Sequence, residues 1–196
     1  MKKYLCLLFL SVFLFGFSQK KALKKAQFSS TDIEVVAKGL DNIVIENSDS
    51  NFVEVYLFDE NPSKHHIVIE EQNEILTIGF EIDSIPTGET VFRKFITKRL
   101  QRASAILKVP ANKSIRIFGD HIDIESKDYK GNLFISIEEG NLQLNAVQKD
   151  VSVRLYAGKV SAFIKNTHID VVSNGGKIIV DDAIIASPYK KQPIKS

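Results

Sequence analysis

The residues of this 196-residue chain that could do chemistry are scattered acids, four histidines and one basic stretch. Catalysis or metal binding on a repetitive β structure needs acidic side chains stacked on one outer face, close enough to share a proton or a metal ion. The strand pattern predicts two outward columns: Asp123, Gln143, Ser161 and Ile179, and Arg116, Phe134, Ser152 and Asp170. Neither column contains a cluster of acids.

Adjacent acids and histidines do not form a site either. Glu138-Glu139, Asp181-Asp182 and His65-His66 are neighbours in sequence, and neighbouring strand residues point to opposite faces. The chain contains no HExxH motif, no GxSxG nucleophile motif and no glycine-rich phosphate loop. We therefore expect no catalytic residue, no cofactor and no metal site, and hence not an enzyme. Binding of calcium by loop carboxylates such as Asp49, Asp59 and Glu60 stays an open alternative.

Three features could contact a partner. The first is a basic stretch of Arg93, Lys94, Lys98, Arg99 and Arg102, which could dock on an anionic surface or instead cover one end of the core. The second is a set of outward hydrophobic residues, Phe134, Tyr156 and Ile179, which could form a contact patch or pack inward at a corner. The third is a short basic tail, residues 187–196.

The N-terminal eighteen residues have the pattern of a signal peptide. Lys2 and Lys3 precede an apolar run from Tyr4 to Phe15, and Gly16-Phe17-Ser18 offers small residues where a signal peptidase cuts. The alternative is a retained membrane anchor, but a spanning helix needs about 20 apolar residues. We expect export to the periplasm or the bacterial cell surface, with no transmembrane segment in the mature chain.

Cysteine usage and net charge narrow the class of protein further. Cys6 is the one cysteine and lies inside the expected leader, so the mature chain would have no disulfide and no thiolate metal site. The formal charge of +2 comes from the two leader lysines, so the mature chain carries about zero. A neutral domain is a poor match for nucleic acid, which we exclude as a partner.

The mature sequence predicts a single all-β domain over residues 31–186, after a flexible basic lead-in at residues 19–30. Apolar residues alternate with polar ones in five short segments, which is typical of strands with one buried face. These pairs and triplets are Ile33/Val35, Ile43/Ile45, Val53/Val55/Leu57, Ile67/Ile69 and Leu76/Ile78/Phe80. Residues 90–103 could instead form a basic amphipathic helix, or a loop or strand across the end of the sheet.

An eighteen-residue repeat dominates the second half. Ile115, Leu133, Val151 and Ile169 recur at that step, as do Leu142, Val160 and Ile178 after a glycine-containing corner. In the first copy the second strand is expected two residues sooner, at Ile122 and Ile124. Repeats of fixed period bury their apolar faces by stacking. We therefore predict a stacked β-solenoid (β-helix-like) with rungs of about 18 residues, preceded by irregular short strands; the alternative is a β-sandwich.

The chain also resembles a known family. The opening DIEVVAKGLDNIVIENSDSNFVEVYL, then ILKVPANKSIRIFGDHIDIES and the glycine-cornered repeats, are similar to the adhesin-like families of bacterial envelopes, among them the auto-transporter adhesin head, or GIN-domain, group. The resemblance covers residues 30–185. It implies a β-helix-like fold outside the cytoplasm, in a family whose members are mostly of unknown function, and it brings no catalytic residues.

These patterns lead to one functional expectation and two alternatives. The expectation is an exported, non-catalytic envelope or cell-surface protein that presents a solenoid face to a glycan, an envelope protein or an anionic surface. The alternatives are a polysaccharide-acting β-helical enzyme and a periplasmic accessory protein that binds an envelope partner. A pair of carboxylates on one face would favour the enzyme, because glycosidases require such pairs.

Overall fold

The computed structural model describes residues 20–59, 65–82, 103–147, 149–164, 168–175, 177–180 and 182–192. These residues form fifteen strands and no helix, which confirms the all-β class. No helix in this part of the chain is long and apolar enough to cross a membrane. The strands are β1 Lys20–Gln27, β2 Asp32–Val36, β3 Asn42–Asn47, β4 Phe52–Asp59, β5 His65–Gln72, β6 Ile75–Ile82, β7 Ala103–Val109, β8 Ser114–His121, β9 Asp123–Ser126, β10 Asn132–Val147, β11 Val151–Ile164, β12 Ile169–Ser173, β13 Lys177–Val180, β14 Ala183–Ile185 and β15 Tyr189–Lys191.

Strand pairing arranges these elements in two rows within one sheet. The first row runs β5-β6-β2-β8, then through the first halves of β10 and β11, to β12 and β15. The second row runs β1-β4-β7-β3-β9, then through the second halves of β10 and β11, to β13 and β14. The long strands β10 and β11 therefore belong to both rows and connect them.

The central pairs are parallel and keep the eighteen-residue step. Leu133 pairs with Ile115 on one side and with Val151 on the other, and Val151 pairs with Ile169. Antiparallel strands flank this parallel stack: β5 next to β6, β1 and β4 next to β7, and the short β14 and β15 at the opposite end.

One register expectation was wrong. Leu142 pairs with Ile124 and Leu144 with Ser126, so the first copy keeps the eighteen-residue step and Ile122 is not the equivalent of Leu142. Ile122 instead lies at the corner, where its amide donates a 3.0 Å hydrogen bond to the carbonyl of Glu139. Its side chain is buried, because the chain turns inward between β8 and β9.

Alternating residues of both rows pack into one hydrophobic core. Ile33, Ile115, Leu133, Val151 and Ile169 form a buried column in the first row. The five predicted alternating segments occupy strands β2 to β6, and their apolar residues are buried except for Ile69, which is partly exposed. Stacking of equivalent aliphatic side chains is what the fixed repeat predicts.

The segments on either side of the expected domain contain strands. Most of the lead-in that was expected to be flexible is strand β1, which pairs antiparallel with β4. Part of the expected tail is strand β15, which pairs with β12 through Tyr189, Lys190 and Lys191. Each segment adds an antiparallel strand to an otherwise open sheet edge, and such pairing satisfies backbone groups that a flexible segment would leave to water. The expected signal peptide, residues 1–18, lies outside the described residues.

Candidate binding face

The outer face of the first row carries a stripe of exposed apolar and aromatic side chains that is interrupted by a serine and an arginine. Val36, Phe118 and Val172 lie at the same register position on β2, β8 and β12, and each is more than a third exposed. Two strands lie between Phe118 and Val172, and on them the same register position is occupied by Ser136 of β10 and Arg154 of β11. Alternation places all of these side chains opposite the core.

Aromatic contacts connect this stripe across strands. The rings of Phe118 and Phe134 lie 5.9 Å apart at a tilt of 53°. The guanidinium of Arg154 lies 5.4 Å from the centre of the Phe134 ring, within the range of a cation–π contact. Tyr156 follows two residues after Arg154, and its side chain is 66% exposed. We call Val36, Phe118, Phe134, Arg154, Tyr156 and Val172 the apolar stripe.

Gly79 lies at the same register position as the stripe on the next strand, but it has no side chain and so leaves a gap beside Val36. It pairs with Val36 on one side and Val68 on the other, so it occupies the same register position on β6. A Cβ added at Gly79 would meet no atom within 4 Å. A glycine inside a strand often marks a place where another molecule approaches the backbone.

A shallow groove runs beside the stripe, at the start of the first-row strands. One part, of about 250 Å³, lies over Ile115, Leu133 and Val151. A second part, of about 500 Å³, adjoins it and is lined by Ser29, Ser30 and Thr31 together with the β5–β6 turn. Asp32 and Arg116 line both parts and form an ion pair, with 3.3 Å between Oδ1 and Nη2.

Main-chain hydrogen bonds hold the groove in place. The amide of Ser114 donates to the carbonyl of Thr31 at 2.8 Å, and the amide of Leu133 donates to that of Asp150 at 2.9 Å. On the opposite side of Ser30, the Lys113 ammonium donates a 2.6 Å hydrogen bond to the Ser30 carbonyl. These hydrogen bonds tie the starts of neighbouring strands together along the groove.

The outer face of the second row carries a group of paired charges, beside exposed hydrophobic side chains such as Leu23, Phe52 and Ile184. Lys25, Glu54, Lys108, Glu46 and Lys127 alternate in sign across adjacent strands, and we call them the charge ladder. The Lys25–Glu54 pair is 2.6 Å, the Lys127–Glu46 pair 2.9 Å and the Lys108–Glu46 pair 3.8 Å. The hydrogen bond from Lys25, together with one from the Tyr56 hydroxyl, lowers the pKa of the Glu54 carboxyl. The ladder is internally paired, which suits a structural role.

The structure brings together some of the residues singled out in the sequence and separates others. Phe134 and Tyr156 share the apolar stripe, whereas Ile179 lies in the second row beside the exposed Ile184. Arg93, Lys94, Lys98, Arg99 and Arg102 lie outside the described residues, as does Glu60 of the suggested calcium loops. His168 lines the groove, while His121 lies 3.5 Å from Glu139 on an exposed corner.

Several residues of this face were missed in the sequence. Ser114, Asn132, Asp150 and His168 follow the same eighteen-residue step as the core column, each one residue before an inward aliphatic. The eighteen-residue spacing of these polar residues is visible in the sequence, but only the apolar residues with that spacing were used to define the repeat. Among the described residues, no group of three or more histidine, cysteine, aspartate or glutamate side chains could hold a metal ion.

Comparison with known proteins gives likeness of fold alone. No family model matches the chain. No curated protein matches it either. The chain is similar to the solved structure of a "putative cell adhesion protein" from Clostridium sporogenes ATCC 15579, over 83% of this chain and 99% of that one, with a TM-score of 0.58 and 9% identity.

Two further solved structures are similar at lower scores. One is a "putative adhesin" from Bacteroides fragilis NCTC 9343, with 83% of this chain and 89% of that one covered, a TM-score of 0.28 and 15% identity. Another is a "putative adhesin" from Parabacteroides merdae ATCC 43184, with 83% of this chain and 91% of that one covered, a TM-score of 0.29 and 13% identity. The Clostridium likeness shows a shared fold.

Proposed function

We propose that this chain is an exported, non-catalytic protein of the bacterial envelope or cell surface that binds a partner through the outer face of the first row. The observation that carries the proposal is the apolar stripe, in which exposed apolar and aromatic side chains cross adjacent strands. Contiguous exposed apolar surface marks interaction sites on soluble proteins, and tyrosine, phenylalanine and arginine are enriched in interfaces.

The position of Arg154 supports this use of the stripe. Its guanidinium lies over Phe134, and no described acid forms an ion pair with it. On the second row, by contrast, the lysines and glutamates of the charge ladder are paired with each other. A cation on an aromatic ring that has no acidic partner among the described residues is available to a ligand.

The regular register supports a β-solenoid in the C-terminal half. Four equivalent residues on successive strands, Ile115, Leu133, Val151 and Ile169, follow one another in parallel pairing at the eighteen-residue step. A sandwich of hairpins would bring antiparallel neighbours together here instead. Solenoids offer long, regular faces on which binding needs no catalytic residues.

Two further observations support an adhesin-like role outside the cytoplasm. The leader-like residues 1–18 have the composition of a signal peptide. The fold is shared with the Clostridium protein described above as a cell adhesion protein, although fold alone does not assign function. Both agree with the resemblance of the sequence to adhesin-like envelope families.

Protease treatment of intact cells tests this proposal. We expect an external protease to cut the protein on whole cells while a periplasmic control protein stays intact, which places it on the surface. Cutting only after the outer membrane is opened would place it inside the envelope, where the periplasmic accessory role applies. Recovery of the protein from the cytoplasmic fraction, with the leader still attached, would overturn the proposal.

A further inference from the structure

Ser30 presents a buried hydroxyl that has no hydrogen-bond partner. Its residue is 6% exposed, and its Oγ contacts no described donor or acceptor within hydrogen-bond distance. The same residue lines the larger part of the groove, next to Ser29 and Thr31. Because the Oγ itself has almost no accessible surface, a ligand in the groove cannot reach it, and Ser30 marks the end of the polar wall rather than a ligand contact.

A row of polar side chains continues from Ser30 along the groove. Asp32, Ser114, Asn132, Asp150 and His168 line it, one on each successive rung of the stack. Neighbouring strands are about 4.8 Å apart, so hydrogen-bonding groups recur at that interval across the strands. The Asn132 amide donates a 3.3 Å hydrogen bond to the Ser114 hydroxyl, which leaves further donors and acceptors on both.

This pattern suits a linear ligand that carries many hydroxyl groups. A sugar hydroxyl both donates and accepts, and the groove offers carboxylates, an amide, hydroxyls and an imidazole in one line. Ile115, Leu133, Val151 and Phe134 also line it, and Phe134 belongs to the apolar stripe as well. Sites of this kind combine apolar surface with a few placed polar groups that fix orientation.

The charge of the groove argues against an acidic ligand. Asp32, Glu74 and Asp150 line it with carboxylates, whereas Arg116 is the guanidinium among the lining residues and is already paired with Asp32. A polymer with regularly spaced carboxylates or sulfates would meet like charge in this groove. An uncharged polymer would not.

We propose that this groove binds a neutral linear glycan whose chain runs across the strands, from the β5–β6 turn at Asn73 towards His168. The inference rests on the proposed function, because it names the ligand class for the same outer face. The glycan lays its rings along the polar row, with the Phe134 side of the groove against their apolar edges.

Calorimetric titration of the purified mature chain tests the ligand class. The probes are neutral linear hexasaccharides of glucose, mannose, galactose and xylose, with oligogalacturonate as the acidic comparison. We expect at least one neutral hexasaccharide to bind, its disaccharide to bind more weakly and oligogalacturonate not to bind. Asn132→Ala and Asp150→Ala should each weaken binding about tenfold, since each removes one or two hydrogen bonds. Gln143→Ala, on the second-row half of β10, should bind as the unaltered chain does.

Binding to isolated cell envelopes distinguishes this inference from the proposed function. Periodate cleaves sugar diols and spares most protein surface, so oxidised envelopes should lose their capacity for the protein. If untreated and oxidised envelopes bind it equally and no neutral hexasaccharide binds, the glycan inference is wrong while a binding role stands. If neither the envelopes nor the hexasaccharides bind it, both are wrong.

Discussion

Tyr129 is the largest fully buried side chain of the described residues and shows how one polar group is accommodated in the core. Its hydroxyl donates a 2.8 Å hydrogen bond to the carbonyl of Lys113, and burial raises the pKa of the phenol. The phenol therefore stays neutral across the physiological range. Nothing in the local sequence distinguishes this tyrosine from the exposed Tyr156, since the difference lies in contacts sixteen residues away.

Tyr129→Phe should lower the free energy of unfolding by about 1 kcal/mol, because the Lys113 carbonyl loses its partner while the ring stays packed. Urea unfolding followed by circular dichroism measures this difference. Tyr156→Phe is the control and should leave stability unchanged, since that side chain is exposed. A similar loss in both variants would mean that the Tyr129 hydrogen bond is not the cause.

The charge ladder predicts an acid-sensitive contribution to stability. Pairing lowers the pKa of Glu54 below its ordinary value of 4.5, so its contribution is present above that value and is lost as pH falls through the lowered pKa. Glu54→Gln should therefore melt at a lower temperature than the unaltered chain at pH 7. The two melting temperatures should converge in acid. A difference that persists unchanged at pH 2 would contradict this assignment.

Among candidate site residues, the sequence identified Phe134 and Tyr156 but neither Arg154 nor Ser30. Aromatic residues at outward positions are conspicuous in a strand pattern. A buried serine that lacks a hydrogen-bond partner cannot be recognised in the sequence, because its burial depends on how β2 and β8 are arranged around it. The polar row was accessible in principle, since it follows the repeat step.

At the scale of elements, glycines fix the passage of the chain from one row to the other. Gly140 and Gly158 pair with each other where β10 and β11 leave the first row, and Gly158 has a φ of 135°. A Cβ at Gly158 would overlap the carbonyl of Gly140, and one at Gly140 would overlap the carbonyl of Ile122. The sequence placed these corners correctly, because glycine is the residue that tolerates such backbone.

Gly158→Ala should lower the free energy of unfolding by more than about 1 kcal/mol, since both the conformation and the space are incompatible with a side chain. Gly79→Ala is the matched comparison, with open space around its Cβ, and should be neutral or stabilising by about 0.5 kcal/mol. Chemical denaturation of the two variants tests the pair. An equal loss in both would contradict the corner geometry.

Strand register makes a second prediction at this scale. Val153 is buried and Ser152, its neighbour on β11, is partly exposed. Val153→Asp should unfold the domain, because an unpaired buried charge costs several kcal/mol. Ser152→Asp should change stability by no more than about 0.5 kcal/mol. Thermal melts of equal midpoint for the two variants would show that the register is wrong.

For the whole molecule, the features that the sequence predicted correctly are those that follow from periodic patterns of apolar residues. The all-β class, the buried alternation in β2 to β6 and the eighteen-residue pairing of β10 with β11 all follow from repeated local patterns. The strands at the ends did not, because β1 and β15 are short, basic segments whose order depends on distant partners β4 and β12. The register of the first corner was also misjudged, since Ile122 resembles a strand residue.

The two outer faces of the molecule differ in the side chains that they expose. The first row presents the apolar stripe and the groove. The second row presents the paired charges of the charge ladder together with the exposed Leu23, Phe52, Phe163 and Ile184. The central claim is the proposal that the partner is bound through the first row.

Site-specific photocrosslinking in living cells tests that claim most directly. A benzophenone amino acid placed at Tyr156 reports on the first row, and one at Ile184, which is 71% exposed, reports on the second. Both positions are exposed, so neither substitution should disturb the fold. Crosslinked adducts from position 156 and none from position 184 are the predicted result. Adducts from position 184 alone, or equally from both, would contradict the assignment of the first row as the binding face.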